Sequence, residues 1–383
     1  MSTQIYLDHA AATPLDERVF RAMEPYFSEQ FYNPSAAYTL ARNVRAALDE
    51  ARHQLAISLG GKRDEIILTA GATESIHLAF RGLLTPNDHV VIGATEHPAV
   101  RELAQLYTHT EALSDSNGII RPQAVVNAIN DSTKLVSITA ADSELGTIQS
   151  LAKIAEELQK IRQDRRTRGI NQPLFFHSDA SQAAGVIDLH VSRLGVDMLT
   201  LNAGKCYGPK QVGLLWAASH VSLRPLIVGG GQERGLRSGT ENVAGAVGFA
   251  TALVHAQKHR HGETERLREL RDLLQSQLTL ALPDLHVNGS PKKHLPGHLH
   301  ISLDGLDAER VVFNLDAKGV MVATGAACAA NKGTRSSVLV AVGMNESLAD
   351  GSLRLSLGKL NDIESVTRAA SLIIDAISEE RVL

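Results

Sequence analysis

The sequence predicts an α/β fold, a mostly parallel sheet with helices on both faces followed by a smaller α/β domain. Three observations carry that expectation. Short apolar, β-branched runs alternate with amphipathic segments through the first two thirds of the chain. Gly229-Gly230-Gly231 then precedes a long helical stretch from about 242 to 282, which Pro283 breaks. Beyond it a shorter series of strands and helices resumes.

Each element has its own signal. Val44, Ala47, Leu48, Ala51 and Leu55 recur at helical spacing. Residues 65–69, Glu-Ile-Ile-Leu-Thr, read as a strand that feeds a helix starting near Thr73. Strands follow at 89–92 and 135–138, and again in the runs ending at His177, Leu201 and Trp216. Leu151, Ile154, Ala155 and Leu158 mark a helix between them. The long stretch after 242 links two domains. The second domain reads as a strand at 298–303, a helix at 307–317, a Gly/Ala loop around Cys328, a strand at 352–357 and a final helix.

Bulk composition narrows the function classes. The 383 residues suffice for two domains. A net charge of −4, from 38 basic and 42 acidic residues, gives no electrostatic case for nucleic acid or an anionic membrane. No apolar run approaches the roughly 18 residues of a membrane span. The N-terminal residues lack a basic region followed by an apolar core, so no signal peptide is expected. Two cysteines, Cys206 and Cys328, cannot build a disulfide framework or a metal array, and no metal is expected. A cytoplasmic location follows as an expectation, since thiols stay reduced there.

In sheets of this kind ligands gather beyond the carboxyl ends of the strands, where Gly71, His97, Asp179 and Lys205 all fall. Lys205 lies among small residues in Asn202-Ala203-Gly204-Lys205-Cys206-Tyr207-Gly208-Pro209-Lys210. Asp179 ends an earlier apolar run. A lysine Schiff base with an acidic partner for the pyridinium nitrogen is the protein's part in pyridoxal 5′-phosphate (PLP) chemistry. Read separately, the lysine is also an ordinary exposed residue before a Gly-Pro turn. Ala72 and Thr73 open a helix after Gly71 and read either as a plain cap or as an anion site. His97 is placed to stack on a planar cofactor and exchange protons. Cys328, among Gly and Ala, is either a small buried hydrophobe or a reachable nucleophile. Arg354, on an inner strand, needs a buried anion: a substrate carboxylate or a structural acidic partner. Arg237 and Thr240 follow a Gly-rich turn and are further phosphate donors in this reading.

Taken together these residues resemble the NifS/IscS-like cysteine desulfurases, class-V aminotransferase relatives of PLP fold type I, with the aspartate-aminotransferase architecture. The likeness runs from Tyr6-Leu7-Asp8-His9-Ala10-Ala11-Ala12-Thr13-Pro14 through Asn33-Pro34-Ser35, Thr73-Glu74-Ser75 and Thr95-Glu96-His97. It continues with Asp179-Ala180-Ser181-Gln182, Lys205, Gly229-Gly230-Gly231-Gln232-Glu233, Arg237-Ser238-Gly239-Thr240, Gly325-Ala326-Ala327-Cys328 and Arg354-Leu355-Ser356. The resemblance implies a homodimer that turns L-cysteine into L-alanine and leaves the sulfur as a Cys328 persulfide. An acceptor or scaffold protein in iron–sulfur cluster assembly or tRNA thiolation would then take it. Selenocysteine lyase, and a silent PLP-fold scaffold, are the alternatives.

By the same resemblance Lys205 bears the cofactor, Asp179 pairs with its pyridinium, Gln182 bonds its phenolic oxygen and His97 stacks on its ring. Ala72, Thr73 and, across a dimer interface, Thr240 hold the phosphate. Arg354 takes the substrate carboxylate. Several positions depart from the family pattern, among them Tyr38 for the usual His of Asn-Pro-Ser-x-x-His and Asp142-Ser143-Glu144 for Asn-Asn-Glu. Asn202 and Gly204 stand where Ser and His usually assist the phosphate, and Ser143 stands where an Asn usually approaches the phenolic side. The expected division is 15–255 for the PLP-binding domain, with 1–14 and 256–383 forming the small domain that carries the cysteine loop.

Overall fold

The computed structural model describes residues 4–325 and 335–382. Cys328 lies outside them. A seven-stranded sheet dominates the first part of the chain, in the spatial order Ile66–Thr69, Gly213–Ala217, Met198–Asn202, Phe175–Asp179, Thr133–Ser137, His89–Gly93, Thr108–Ala112. All neighbours run parallel except Gly213–Ala217, which is antiparallel to both of its partners. The expected mostly parallel sheet is therefore present, with one reversed strand and one polar edge strand.

Both faces of this sheet are covered, and the strands alternate accordingly. Val91, Leu199, Leu214 and Trp216 join one core with the helices Thr39–Leu59 and Leu151–Thr167. Val90, Ile92, Met198 and Leu215 join another with Ala72–Leu83 and Pro98–Ala104. Two buried faces explain why these strands read as near-continuous apolar runs.

The helix Val243–Ala281 spans 39 residues, close to the expected stretch. Asn242 caps it by accepting from Gly245 N. Its first turns, through Leu253, pack in the core of the large sheet, while Leu267, Leu270, Leu274 and Leu278 pack in a separate core. That second core surrounds an antiparallel sheet ordered Ala323–Thr324, Ser352–Ser356, His298–Ser302, His286–Asn288. Residues Ile5 and Leu7 belong to it, so the N-terminal segment folds onto the C-terminal part of the chain. No helix among the described residues is long and apolar enough to cross a membrane.

Candidate active site

The carboxyl ends of the large sheet's strands open into a cavity of about 700 Å3. Ala72, Thr73, His97, Ser143, Asp179, Gln182, Asn202, Lys205 and Arg354 all line it. Ten of the expected site residues were Ala72, Thr73, His97, Ser143, Asp179, Gln182, Asn202, Gly204, Lys205 and Thr240 on the cofactor side, and two of these stand elsewhere. Gly204 is buried but does not line the cavity, and Thr240, expected to act across a dimer interface, is exposed and does not line it either.

Lys205 ends a single helical turn, Ala203–Lys205, that follows its strand directly. Asn202 Oδ1 accepts from Gly204 N at 3.0 Å, which tightens that turn and leaves the amide NH2 as the donor Asn202 can offer an anion. Lys205 Nζ donates to Ala10 O at 2.6 Å and Ala11 O at 2.7 Å. Gln182 Nε2 also donates to Ala10 O, at 3.0 Å. The turn after Leu7 thus forms one wall of the site, held in place by Tyr6 Oη, whose one proton is shared between Asp8 O and Ala12 O, each at 2.8 Å.

Asp179 terminates its strand, and its Oδ1 accepts from Ser181 N at 2.9 Å and Ser181 Oγ at 2.6 Å. Those bonds fix the carboxylate's orientation at the cavity wall. His97 caps Pro98–Ala104: its Nδ1 accepts from Ala99 N at 3.1 Å, which puts the ring proton on Nε2. Enclosure by the cavity walls lowers its pKa; Asp179 opposes that and Lys205 adds to it. The ring is therefore a neutral imidazole at pH 7, able to donate through Nε2.

At the other end Ala72–Leu83 begins after Gly71, whose φ of 121° suits glycine and whose side carries no capping bond. Free N–H groups at the start of a twelve-residue helix make a cradle for an anion. Arg237 Nε binds Glu74 in that helix's first turn at 2.8 Å. Arg354 is 3% exposed, and its Nη2 meets Asp8 Oδ1 at 2.7 Å while Nη1 donates to Ser143 O at 3.2 Å. The structural acidic partner is present, and the arginine also lines the cavity. Asp8 was given no role from sequence, although it stands in the stretch that carries the family resemblance.

Two buried carboxyls support the turn at Ser143. Asp142 accepts from Glu144 N, Leu145 N and Thr147 N, yet burial raises its pKa to about 6. Glu144 is pushed to about 7, by burial first and by Asp142 next, against the hydrogen bond from Ser336. Cys206 is 2% exposed with Sγ 3.5 Å from Ala203 O, and burial raises its thiol to about 12. A thiol in that state is no nucleophile.

The residues fit PLP. An acid fixed at the strand ends suits the pyridinium, a lysine amine stands nearby, and an uncapped helix start suits the phosphate. The sequence model for "Aminotransferase class-V" matches residues 5–368. The chain belongs to the class-V aminotransferase family. Within it, the sequence sits among the NifS/IscS-like cysteine desulfurases. It is 37% identical to cysteine desulfurase IscS of Dictyoglomus turgidum, covering 100% of this chain and 97% of that protein. Cysteine desulfurase IscS 1 of Archaeoglobus fulgidus is 36% identical over 98% of this chain and 97% of its own length. Among solved structures, a NifS-like protein superimposes with a TM-score of 0.90 at 30% identity, covering 98% of this chain and 100% of the other. SspA in complex with cysteine gives 0.79 at 30% identity, covering 93% and 99%.

Proposed function

We propose that this protein is a PLP-dependent cysteine desulfurase that converts L-cysteine to L-alanine and carries the sulfur away as a persulfide on Cys328. The observation that supports it best is the convergence of Lys205, Asp179 and Arg354 on one cavity. Bound there, PLP supplies the electron sink that makes the substrate Cα proton removable.

The chain's own residues do the rest. Arg354 holds the substrate carboxylate, which orients the amino acid toward Lys205. Lys205 Nζ accepts the Cα proton. His97 Nε2–H donates a hydrogen bond beside the ring, and its lowered pKa keeps the other nitrogen, Nδ1, unprotonated and engaged with Ala99. Asp179 holds the positive charge of the ring nitrogen. The Cys328 thiolate then attacks the substrate sulfur. A sulfur–sulfur bond forms as the carbon–sulfur bond breaks, and the three-carbon remainder takes up a proton and leaves as alanine. Separating sulfur abstraction from delivery is the gain from a covalent nucleophile.

We also read Ala72, Thr73 and the Asn202 amide as the phosphate's holders, with Thr240 of a second copy completing the site in a homodimer. Ser143 takes the place beside the phenolic oxygen next to Gln182. Gly204 shapes the turn and contributes no side chain to the phosphate. We also keep the domain division at residue 255; the two cores that the long helix joins support it. An acceptor protein of iron–sulfur cluster assembly or tRNA thiolation, in the cytoplasm, completes the reading. The test is stoichiometric: PLP-loaded protein given L-cysteine and a reductant should form equal amounts of alanine and sulfide. Sulfide with pyruvate and no alanine would mean β-elimination and would reject the proposal.

A further inference from the structure

Arg354 lies on the strand Ser352–Ser356, between His300 and Ala323 of the neighbouring strands. A guanidinium has five N–H bonds. One Nη2 bond goes to Asp8 and one Nη1 bond to Ser143 O. Nε is buried and makes no hydrogen bond among the described residues. Besides that buried Nε–H, one N–H remains on each terminal nitrogen, which is enough for a single bidentate carboxylate.

Asp8 is itself fixed. Its segment bridges Ser356 on Arg354's own strand, with Ser356 N donating to Leu7 O at 2.7 Å and His9 N to Ser356 O at 3.2 Å. The Asp8 side chain is 22% exposed and lines the cavity beside Arg354. Asp142, Asp179 and Glu309 line the same cavity, whereas among the described residues its Lys and Arg side chains are Lys205 and Arg354. Asp179 and Lys205 are committed to the cofactor. What the amino acid meets is one arginine, already half neutralised, among acidic neighbours.

We propose that Asp8 is a specificity-determining residue: by keeping one edge of Arg354 it admits one carboxylate and rejects amino acids whose side chains carry a second negative charge. The inference rests on the cysteine desulfurase reading and adds the class of substrate that the site refuses. A thiol side chain enters neutral. A carboxylate or sulfinate in its place finds no second pair of terminal guanidinium N–H groups among the described residues and faces the Asp8 charge.

The test is equilibrium binding to PLP-loaded protein, followed through the cofactor's near-visible absorbance, with L-alanine and L-aspartate as the probes. In the wild type the Kd for aspartate should exceed that for alanine at least tenfold. Asp8→Asn should narrow that ratio about tenfold, while Asp8→Glu, which keeps the charge, should preserve it. Asp8→Ser takes the place of Asp8→Asn if the latter does not fold. An unchanged ratio in the uncharged variant overturns the inference, as does equal binding of the two probes by the wild type. The two claims fail differently. If wild-type absorbance responds to neither amino acid, the desulfurase reading fails with it; if it responds to both and the ratio ignores residue 8, only Asp8's role is lost.

Discussion

Glu144→Gln should stabilise this protein in a pH-dependent way, because the native state holds that carboxyl under conditions that oppose its ionisation. Glu144 is 8% exposed, and its pKa rises from the ordinary 4.5 to about 7, burial being the largest cause and Asp142 the next unfavourable one. A carboxyl with a raised native pKa binds protons more tightly in the folded state than in the unfolded one. Its contribution to stability is therefore fully present below about pH 4.5 and is lost as pH rises through about 7. Each pKa unit corresponds to about 1.4 kcal/mol, so the loss approaches roughly 3 kcal/mol by pH 8. Glutamine cannot ionise, and its amide oxygen can still accept from Ser336 Oγ, the cap of Ser337–Ala341. Its NH2 group adds a fixed burial cost that does not vary with pH. The readout is the difference in Tm between variant and wild type, measured from pH 4.5 to 8. That difference should move in the variant's favour across the interval by several degrees and then level off. A difference that stays flat would refute the assignment of Glu144 as a carboxyl destabilised by burial.

Three further outcomes follow from the site geometry. Lys205→Ala should abolish the cofactor's near-visible absorbance and cysteine turnover while keeping the far-ultraviolet circular dichroism; borohydride reduction of the wild type should label Lys205 and not Lys210. Cys206→Ser should retain full sulfur transfer, as steady-state sulfide release would record, because its thiol is buried and raised to about 12. Asn202→Ala removes both a turn cap and the amide proposed to hold the phosphate. Loss of one bond to a charged group, roughly 1.5–3 kcal/mol, should weaken PLP binding by about ten- to a hundredfold in a titration of apo-protein.

Much of this site was legible because its chemistry sits where strands end. Asp179 and Lys205 follow apolar runs directly, so local pattern alone brought them to the same edge of a parallel sheet. The long helix was equally plain, since Asn242 and Pro283 bracket it. What escaped was set by distant partners. The reversed strand Gly213–Ala217 inserts between Ile66–Thr69 and Met198–Asn202, and nothing in its apolar run records its direction. Thr108–Ala112 is a polar edge strand with one face in solvent, so it lacks the run that marked the others. The partner of Arg354 stands 346 residues away, in a turn whose place depends on the whole fold. Gly204 illustrates the converse. Motif position suggested a phosphate contact, but Gly204 is not among the residues that line the cavity, and an added Cβ there would meet Asn202 Oδ1 at 3.4 Å and Lys210 Cγ at 3.5 Å.

The central claim is that sulfur leaves cysteine by attack of Cys328. The direct measurement is mass spectrometry of peptides from PLP-loaded protein mixed with L-cysteine, without reductant and with thiols blocked immediately. The account predicts one added sulfur atom on the peptide bearing Cys328, none on that bearing Cys206, and alanine in matching amount. Alanine formed with no sulfur on Cys328, or formed undiminished by Cys328→Ser, would contradict it.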